Sequence, residues 1–400
     1  MKYTLYGDGI NDDTLAIQEL LDTSCEVVLP APKAFYLISS TLIIHSNTRL
    51  VLPRFAEIRL KAGSDCLMLK SETVYDPAER ISCRLYQYVN MYSPDHHTQN
   101  ISVEGGIWNL NNKEQSPNPL SVGMEATSFT GTSFFCGMIF LFYNVHNLKV
   151  SSLTFKDPST YAMLIDKVSY FNIQDLTFDF NDGNRWQSNM DGVHVCGNCH
   201  HGNIENLFGT CYDDIVALNS EEGSRGPITD ITVKGIYTDK SYSAVRLLGA
   251  SPAASLKNIH ISDIYGTFYH FVIGFMDYYN RGARGVFENI TIDNVYASKS
   301  DRALVKFPIV FRYRRYGIID IDGKIDVKNL RLENVHREEF IDNTPTVLVS
   351  ENTTVDNFIL NNITSVNRTD KGDMPLITVN GSIKNVTAGV LFEDGKSITL

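Results

Sequence analysis

Two acidic motifs are the parts of this chain best suited to chemistry. An Asn-Met-Asp-Gly sequence spans 189–192, and a Tyr-Asp-Asp sequence spans 212–214. If the chain between them makes one turn of a coiled sheet, the carboxyl groups of Asp191, Asp213 and Asp214 meet at one place. Cleavage of a glycosidic bond needs one carboxylic acid to protonate the leaving oxygen and one carboxylate to activate water or attack the sugar. The motifs therefore predict acid–base chemistry at a bridging oxygen.

An irregular internal repeat indicates the elements that would position these acids. Each copy has an apolar residue, one spacer, a second apolar residue, two spacers often containing Asn or Gly, and a third apolar residue. The copies are Leu148, Val150, Leu153; Ile231, Val233, Ile236; Ile259, Ile261, Ile264; Ile290, Ile292, Val295; Leu330, Leu332, Val335; and Phe358, Leu360, Ile363. From Ile231 onward, the first positions are 28, 31, 40 and 28 residues apart, which is typical of a solenoid.

The composition of the repeat favours strands over helices. Short alternating runs of Ile, Val, Thr and aromatic residues are broken by Asn, Asp and Gly, as in strands joined by turns. In a solenoid each coil buries its inward residues against the coils on either side. We therefore predict an all-β fold, a single-stranded right-handed parallel β-helix that forms one domain over residues 1–400.

The N-terminal region 1–25 is predicted to cap this coil. Residues 7–14 are rich in turn formers, and residues 15–21 have the apolar spacing of a short amphipathic helix. Asp12, Asp13 or Thr14 could cap the helix, because a side-chain oxygen there accepts unpaired backbone N–H groups. The helix would close the open end of the coil.

Composition excludes several classes of partner. The formal net charge of −11 disfavours nucleic acid, whose phosphates bind clustered Lys and Arg. No apolar run approaches the roughly 20 residues that span a membrane. Residues 1–6 lack the apolar stretch of a secretory signal, so we expect a secreted or periplasmic protein if a leader is missing from this sequence, and a cytoplasmic protein otherwise.

The seven scattered cysteines do not form the pattern of a disulfide framework. Cys-Gly-Asn-Cys-His at 196–200 matches a haem-attachment pattern, and His201 adds a possible metal ligand. No second Cys-x-x-Cys completes a zinc site, which favours a small core cysteine followed by a turn. We expect neither a metal nor an organic cofactor.

Further polar residues could complete a cleft around the acids. Strand alternation places His194 on the opposite face from Val193 and Val195, toward a cleft or toward solvent. Arg185 and Trp186 immediately precede the first motif, where the indole could stack on a sugar or close the core beneath a loop.

A second group of candidates lies further along the chain. Tyr269, His270 and Asp277 combine aromatic rings with hydrogen-bonding groups, as a saccharide subsite does. If they lie one or two coils beyond the acids, they flank the same groove.

These motifs carry a resemblance to a known family. Residues 7–18 resemble the opening motif of the pectate-lyase-like β-helix superfamily, which includes polygalacturonases and phage tailspikes. The motifs at 189–192 and 213–214 resemble the Asn-Thr-Asp-Gly and Asp-Asp motifs of the polygalacturonase family, glycoside hydrolase family 28. The resemblance implies an inverting hydrolase in which Asp213 protonates the glycosidic oxygen, while Asp191 and Asp214 act as base on the attacking water.

The chain departs from that family at two motifs. Arg246 matches the arginine of the family's Arg-Ile-Lys motif, which binds a uronate carboxylate, but Leu248 stands in place of the lysine. The family's Gly-His-Gly turn has no counterpart, and residues 221–226 take its place. The resemblance implies a polysaccharide or oligosaccharide substrate that contains uronic acid. A polysaccharide lyase and a non-catalytic, tailspike-like glycan-binding protein are the alternatives, and the sequence makes no prediction of the oligomeric state.

Overall fold

The computed structural model describes residues 2–72, 97–115, 137–181, 189–279, 281–301 and 316–399. In chain order the helix and strands are α1 Thr14–Thr23, β1 Glu26–Val28, β2 Tyr36–Ile38, β3 Leu42–Ile44, β4 Arg49–Val51, β5 Glu57–Leu60, β6 Leu69–Ser71, β7 Thr98–Glu104, β8 Ile107–Asn109, β9 Phe140–Tyr143, β10 Val145–Lys156, β11 Met163–Asp166, β12 Ser169–Asp179, β13 Val193–Cys196, β14 His200–Thr210, β15 Asp214–Asn219, β16 Ile228–Ser241, β17 Ser243–Leu248, β18 Leu256–Phe268, β19 Ile273–Met276, β20 Gly285–Lys299, β21 Ile319–Ile321, β22 Ile325–Glu339, β23 Val347–Val349, β24 Thr354–Asn367, β25 Ile377–Val379, β26 Ser382–Ala388, β27 Leu391–Glu393 and β28 Lys396–Ser397. Short 3-10 helices span Asn112–Glu114 and Pro252–Ala254.

The strands form two parallel sheets that the chain visits alternately. From β9 to β25 the odd-numbered strands lie in one sheet, here called the short-strand sheet, and the even-numbered strands lie in the other, the long-strand sheet. Apart from the antiparallel pair of β27 and β28, the strands pair in parallel with strands of neighbouring coils, for example β13 with β15 and β15 with β17. This winding is the right-handed parallel β-helix predicted from the sequence, and the prediction of fold class is confirmed.

The predicted repeat sets the register of the long-strand sheet. The first position of each copy pairs with the first position of the next, which aligns Ile231, Ile259, Ile290, Leu330 and Phe358. All five side chains are buried in a hydrophobic cluster that runs from Ile17 to Leu391. Stacked apolar rows of this kind hold each coil against its neighbours.

Within the span of the predicted repeat, the structure adds two coils that the sequence had not identified. Between Leu148 and Ile231 the same register position is filled by Phe171 and then by Gly202. A Cβ atom at Gly202 would lie 1.9 Å from the ring of Phe171, so the ring takes the space of the missing side chain.

The N-terminal helix closes the end of the coil as predicted, and of the three predicted capping residues Asp12 accepts the backbone N–H of Thr14 at 2.9 Å. α1 buries Ala16, Ile17 and Leu21. Asp13 occupies the N-cap position without capping the helix, because its carboxylate accepts hydrogen bonds from the backbone N–H groups of Tyr6 and Gly7. Within the described residues, no helix is long and apolar enough to cross a bilayer.

Candidate active site

The site is built on the short-strand sheet, whose residues alternate between the core and the outer face. The valines and leucines of β13, β15 and β17 at alternate positions belong to the hydrophobic cluster. The intervening positions stack His194 on Ala217 and Ala217 on Arg246. A small alanine thus separates a histidine and an arginine that lie two coils apart.

The three predicted carboxylates meet at one edge of this column. One oxygen each of Asp191, Asp213 and Asp214 can be chosen so that all three lie within 4.8 Å of one another. The backbone makes this possible, since Gly192 N donates to Asp214 O at 2.9 Å and joins the first motif to the second. All three residues are buried, with exposed fractions of 3%, 4% and 0%.

Hydrogen bonds fix each carboxylate. Asp191 Oδ1 accepts the Asp214 backbone N–H at 3.3 Å, and Asp213 Oδ2 accepts the Asn189 N–H at 3.1 Å. Ser243 Oγ donates to Asp214 Oδ1 at 2.7 Å. The acids therefore belong to a preorganised cluster of polar groups.

Arg246 lies across the Asp213–Asp214 pair. Its Nη2 is 3.0 Å from Asp213 Oδ1, and its Nε is 2.9 Å from Asp214 Oδ2. The guanidinium also packs near the rings of Phe271 and Tyr278, at 6.0 and 5.5 Å from the ring centroids. Only 14% of its side chain is exposed. The arginine that the resemblance assigns to the substrate is thus a counter-ion of two predicted catalytic aspartates.

The protonation of the aspartate pair follows from burial and charge. Burial raises the pKa of Asp213 to about 6, against the opposing effect of Arg246, and the nearby Asp191 raises it further. Burial also raises the pKa of Asp214 well above its ordinary value, with Arg246 again opposing and Asp213 adding to the rise. Because the two groups titrate together, their apparent pKa values belong to the pair and not to either residue.

His194 is buried beside Asp191 and is not in solvent. Its Nδ1 is 2.6 Å from Asp191 Oδ2, and its Nε2 is 2.7 Å from Glu222 Oε2. Burial alone would lower the pKa of His194, but the bonds to Asp191 and Glu222 outweigh it and raise that pKa to about 10. The imidazole is therefore cationic at neutral pH.

Glu222 and three further residues complete the cluster although the sequence had not singled them out. Tyr279 Oη donates to Glu222 Oε1 at 2.6 Å, and the ring of Tyr161 stacks on His194 with centroids 4.0 Å apart. Ser243 is the third. The one sequence signal for Glu222 is its place in residues 221–226, where the resemblance expects a histidine turn.

An aromatic row extends from the carboxylates toward later coils. Burial raises the pKa of the Tyr242 phenol, and the charge of the nearby Asp213 carboxylate raises it further. His270 stacks on Tyr242 at 4.6 Å and meets Tyr316 at 3.8 Å, while Tyr269 lies 6.0 Å from Tyr242. Tyr269 and His270 thus lie near the carboxylates through Tyr242, and their role in binding a saccharide stays a prediction.

Asp277, Arg185 and Trp186 are the remaining predicted residues. Asp277 accepts the backbone N–H of Tyr279 at 3.2 Å, a local turn contact next to the tyrosine that meets Glu222. Arg185 and Trp186 lie outside the described residues. The cysteines described at positions 25, 66, 196, 199 and 211 form no disulfides.

Two groups of side chains have the composition of a cation site. The three aspartates form one, and His194, Cys196 and Glu222 form the other, each with ligand atoms within 4.8 Å. In both groups protein partners already balance the charge, since Arg246 pairs with two aspartates and His194 is hydrogen-bonded to two carboxylates.

Comparison with known proteins identifies the class of fold. No protein-family model and no curated sequence matches the chain significantly. Among solved structures, the family 28 exopolygalacturonase of Yersinia enterocolitica superposes with a TM-score of 0.59 at 15% identity, covering 99% of this chain and 78% of that one. The Streptococcus pneumoniae surface adhesin PfbA gives 0.51 at 15% identity, covering 98% of both chains.

A third similar structure is a phage protein. The tailspike of Escherichia coli bacteriophage HK620, solved with a hexasaccharide, gives a TM-score of 0.55 at 13% identity, covering 96% of this chain and 64% of that one. The chain is therefore similar in fold to polygalacturonases and to other right-handed β-helix proteins, among them an adhesin and a tailspike.

Proposed function

We propose that this protein hydrolyses glycosidic bonds in a polysaccharide, with Asp213 as general acid and Asp191 as the principal base. The observation that carries the proposal is the meeting of three carboxylates in two different electrostatic surroundings. Asp191 lies against the His194 cation, whereas Asp213 and Asp214 are buried together and their pKa values are raised. Groups whose surroundings separate their protonation states are suited to act as acid and base.

The mechanism follows from that division. The proton held by the aspartate pair passes from Asp213 to the glycosidic oxygen as the carbon–oxygen bond breaks. Asp191, assisted by Asp214, removes a proton from a water molecule whose oxygen bonds to the anomeric carbon. The configuration at that carbon inverts, as the resemblance to family 28 implies.

The spacing of the acids makes the stereochemistry a sharp test. Oxygens of Asp191, Asp213 and Asp214 lie within 4.8 Å, whereas inverting pairs are commonly about 6.5–9.5 Å apart and retaining pairs about 5–5.5 Å. Both oxygens of Asp191 already accept hydrogen bonds, which favours holding water over attack on the sugar. The resemblance to family 28 implies inversion, which NMR of the first product should show, whereas retention would mean that a covalent intermediate forms in place of direct attack by water.

Asp213→Asn tests the assignment of the acid. The amide has the shape of the carboxyl group but no acidic proton, so the release of reducing ends should fall by at least about 100-fold while glycan binding persists. Asp301→Asn, at an exposed position, is the matched control and should leave turnover unchanged. Turnover by Asp213→Asn equal to that of the control would remove Asp213 from the mechanism.

We further propose that the substrate carries a uronate or another acidic sugar and that Arg246 meets its carboxylate. Arg246 is the cation placed between the carboxylates and the Tyr278 ring, and an arginine can clamp a carboxylate with two hydrogen bonds. Arg246→Lys keeps the charge but loses the fork. KM for an acidic glycan should rise about tenfold, with a smaller change for a neutral glycan, and an equal change for both would exclude a carboxylate-specific role.

Glycan binding without turnover is the second candidate function. It is favoured by the ion pairs of Arg246, because both Asp213 and Asp214 engage the guanidinium that would otherwise meet a substrate carboxylate. In that case the wild type and Asp213→Asn would retain glycan equally and neither would release reducing ends. A lyase would instead give an unsaturated product that absorbs in the ultraviolet.

A further inference from the structure

A continuous row of hydrogen bonds leads away from the proposed base. Tyr279 Oη donates to Glu222 Oε1 at 2.6 Å, Glu222 Oε2 is 2.7 Å from His194 Nε2, and His194 Nδ1 is 2.6 Å from Asp191 Oδ2. His194 and Glu222 have exposed fractions of 2% and 7%. The row therefore connects Asp191 with a tyrosine of the β19 coil through buried groups.

The chemistry of the row defines the state of the histidine. Ionised carboxylates only accept hydrogen bonds, so each imidazole nitrogen that contacts one must carry a hydrogen. With a carboxylate at both nitrogens, His194 is an imidazolium ion. The stacked ring of Tyr161, at an interplanar angle of 27°, limits its rotation.

Other ionisable groups around His194 are consistent with this state. Cys196 lies on the same strand with its sulfur within 4.8 Å of the histidine and glutamate ligand atoms. Asp213 is close enough for the charge of His194 to lower its pKa, although burial and Asp191 have the larger, opposite effect. The histidine is surrounded mainly by acids, which favours the cation.

The loop that carries Glu222 is built to hold it in place. Asp166 accepts the Ser224 N–H at 2.9 Å and the Ser224 hydroxyl at 2.7 Å. Glu221 turns the other way and accepts from Ala250 N at 3.1 Å and from Ser251 Oγ at 2.7 Å. The bonds of Asp166 to Ser224 and of Glu221 to the segment 250–251 fix the loop on both sides, and Glu222 between them contacts His194.

We propose that Glu222 is a positioning residue which, through His194, holds Asp191 in the orientation of a base. Tyr279 orients Glu222 in the same way, and neither residue touches the reacting atoms. The inference rests on the proposed hydrolase function. It predicts an effect on the chemical step and on the protonation of His194, and little effect on substrate binding.

The kinetic test compares Glu222→Gln and Tyr279→Phe with Glu351→Gln, a control in an exposed turn after β23. We expect Glu222→Gln to lower kcat at least about tenfold with KM changed less than about twofold. Tyr279→Phe should lower kcat less, and Glu351→Gln should not lower it. Because Glu222 acts through Asp191, adding Glu222→Gln to Asp191→Asn should cause no further loss.

The second readout is independent of turnover. In protein with ¹⁵N-labelled histidine, both ring nitrogens of His194 should carry hydrogen at pH 7 to 8 in the wild type. In Glu222→Gln the imidazolium of His194 should lose its proton at a lower pH than it does in the wild type. A neutral His194 ring in the wild type would overturn the inference.

The outcomes separate this inference from the function on which it rests. A wild type that cleaves no glycan overturns both. A wild type that is active and is abolished by Asp213→Asn, with Glu222→Gln equal to the Glu351→Gln control, overturns only the positioning role. Thermal melts by circular dichroism verify that each variant is folded.

Discussion

At the scale of single residues, neighbours of opposite charge distinguish three chemically identical carboxyl groups. Asp191 is paired with a histidine that carries a positive charge, whereas Asp213 and Asp214 compete for one arginine. Two carboxylates buried side by side repel each other, and one proton relieves that repulsion. Three carboxyl groups in identical surroundings would have similar pKa values, and none would be distinguished as acid or base.

This separation predicts the pH dependence of turnover. A general acid must be protonated in the free enzyme, and burial raises the pKa of Asp213 to about 6. The protonated fraction is therefore complete well below that pH and is lost as the pH rises through it. The value of kcat/KM should fall about tenfold per pH unit above about pH 7.

Measurement of kcat/KM between pH 4 and 9 checks this expectation. The apparent pKa of the alkaline limb belongs to the Asp213–Asp214 pair and not to one residue. Arg246→Lys should leave a positive charge near the pair and shift the limb little. A profile that stays flat to pH 9 would contradict an aspartate acid.

Sequence reasoning identified the residues of the site that lie within motifs and missed those supplied by the fold. Asp191, Asp213, Asp214 and Arg246 come together as the coil model requires. Glu222 was not assigned a role, because its partner His194 is 28 residues away and belongs to another coil. Their catalytic and binding roles stay predictions until the variants are measured.

At the scale of elements, the loop between β15 and β16 determines the polar side of the site. Gly223 has a φ of +60°, and a Cβ atom there would lie 2.1 Å from Asp166 Oδ2. Arg225 follows with a φ of +43°, also in the left-handed region. A glycine is thus required both by the backbone conformation and by the carboxylate that anchors the loop.

Gly223→Ala should displace this loop and impair turnover. Left-handed backbone costs an alanine about 1–2 kcal/mol, and the clash with Asp166 adds to this cost. Gly63→Ala is a matched control, because Gly63 has a φ of +69° with open space around its Cβ position. Both variants should lose some stability in urea, but only Gly223→Ala should also lower kcat, and equal kcat values would contradict a role for the loop.

The elements themselves were largely predictable because the core repeats. An inward apolar residue recurs wherever a coil needs one, so the coils from β16 to β24 could be identified from sequence. The repeat did not identify the coil of β14, because Gly202 stands at an inward position and the ring of Phe171 fills the space of the missing side chain. A pattern of apolar residues does not reveal a side chain supplied by the neighbouring coil.

At the scale of the whole molecule, asparagine side chains tie successive coils together outside the hydrophobic core. The amide of each donates to the residue in the preceding coil, in a ladder of Asp230, Asn258, Asn289, Asn329, Asn357 and Asn385. Asn258, Asn289 and Asn329 have φ values of 55° to 57°. Asparagine suits these bends, because it tolerates left-handed backbone and carries both a donor and an acceptor.

Asn329, in the middle of the ladder, allows its two contributions to stability to be separated. Its Nδ2 donates to Asn289 Oδ1 at 2.8 Å, and its Oδ1 accepts from Asn357 Nδ2 at 2.6 Å. Asn329→Gly removes these bonds but accepts the backbone conformation, and Asn329→Ala removes the bonds and strains the backbone. We expect losses of about 0.5–2 kcal/mol for glycine and about 1 kcal/mol more for alanine.

Urea unfolding followed by circular dichroism measures both losses, with Lys328→Ala at the exposed neighbouring position as the control. Because each coil of a solenoid contacts only its neighbours, a break in the ladder weakens the junctions between the coils of β20, β22 and β24. The urea midpoint should therefore decrease in the order wild type, glycine, alanine. If Asn329→Gly is as stable as Lys328→Ala, the hydrogen bonds of the ladder do not stabilise the protein. The left-handed backbone would then be the reason for asparagine at these positions.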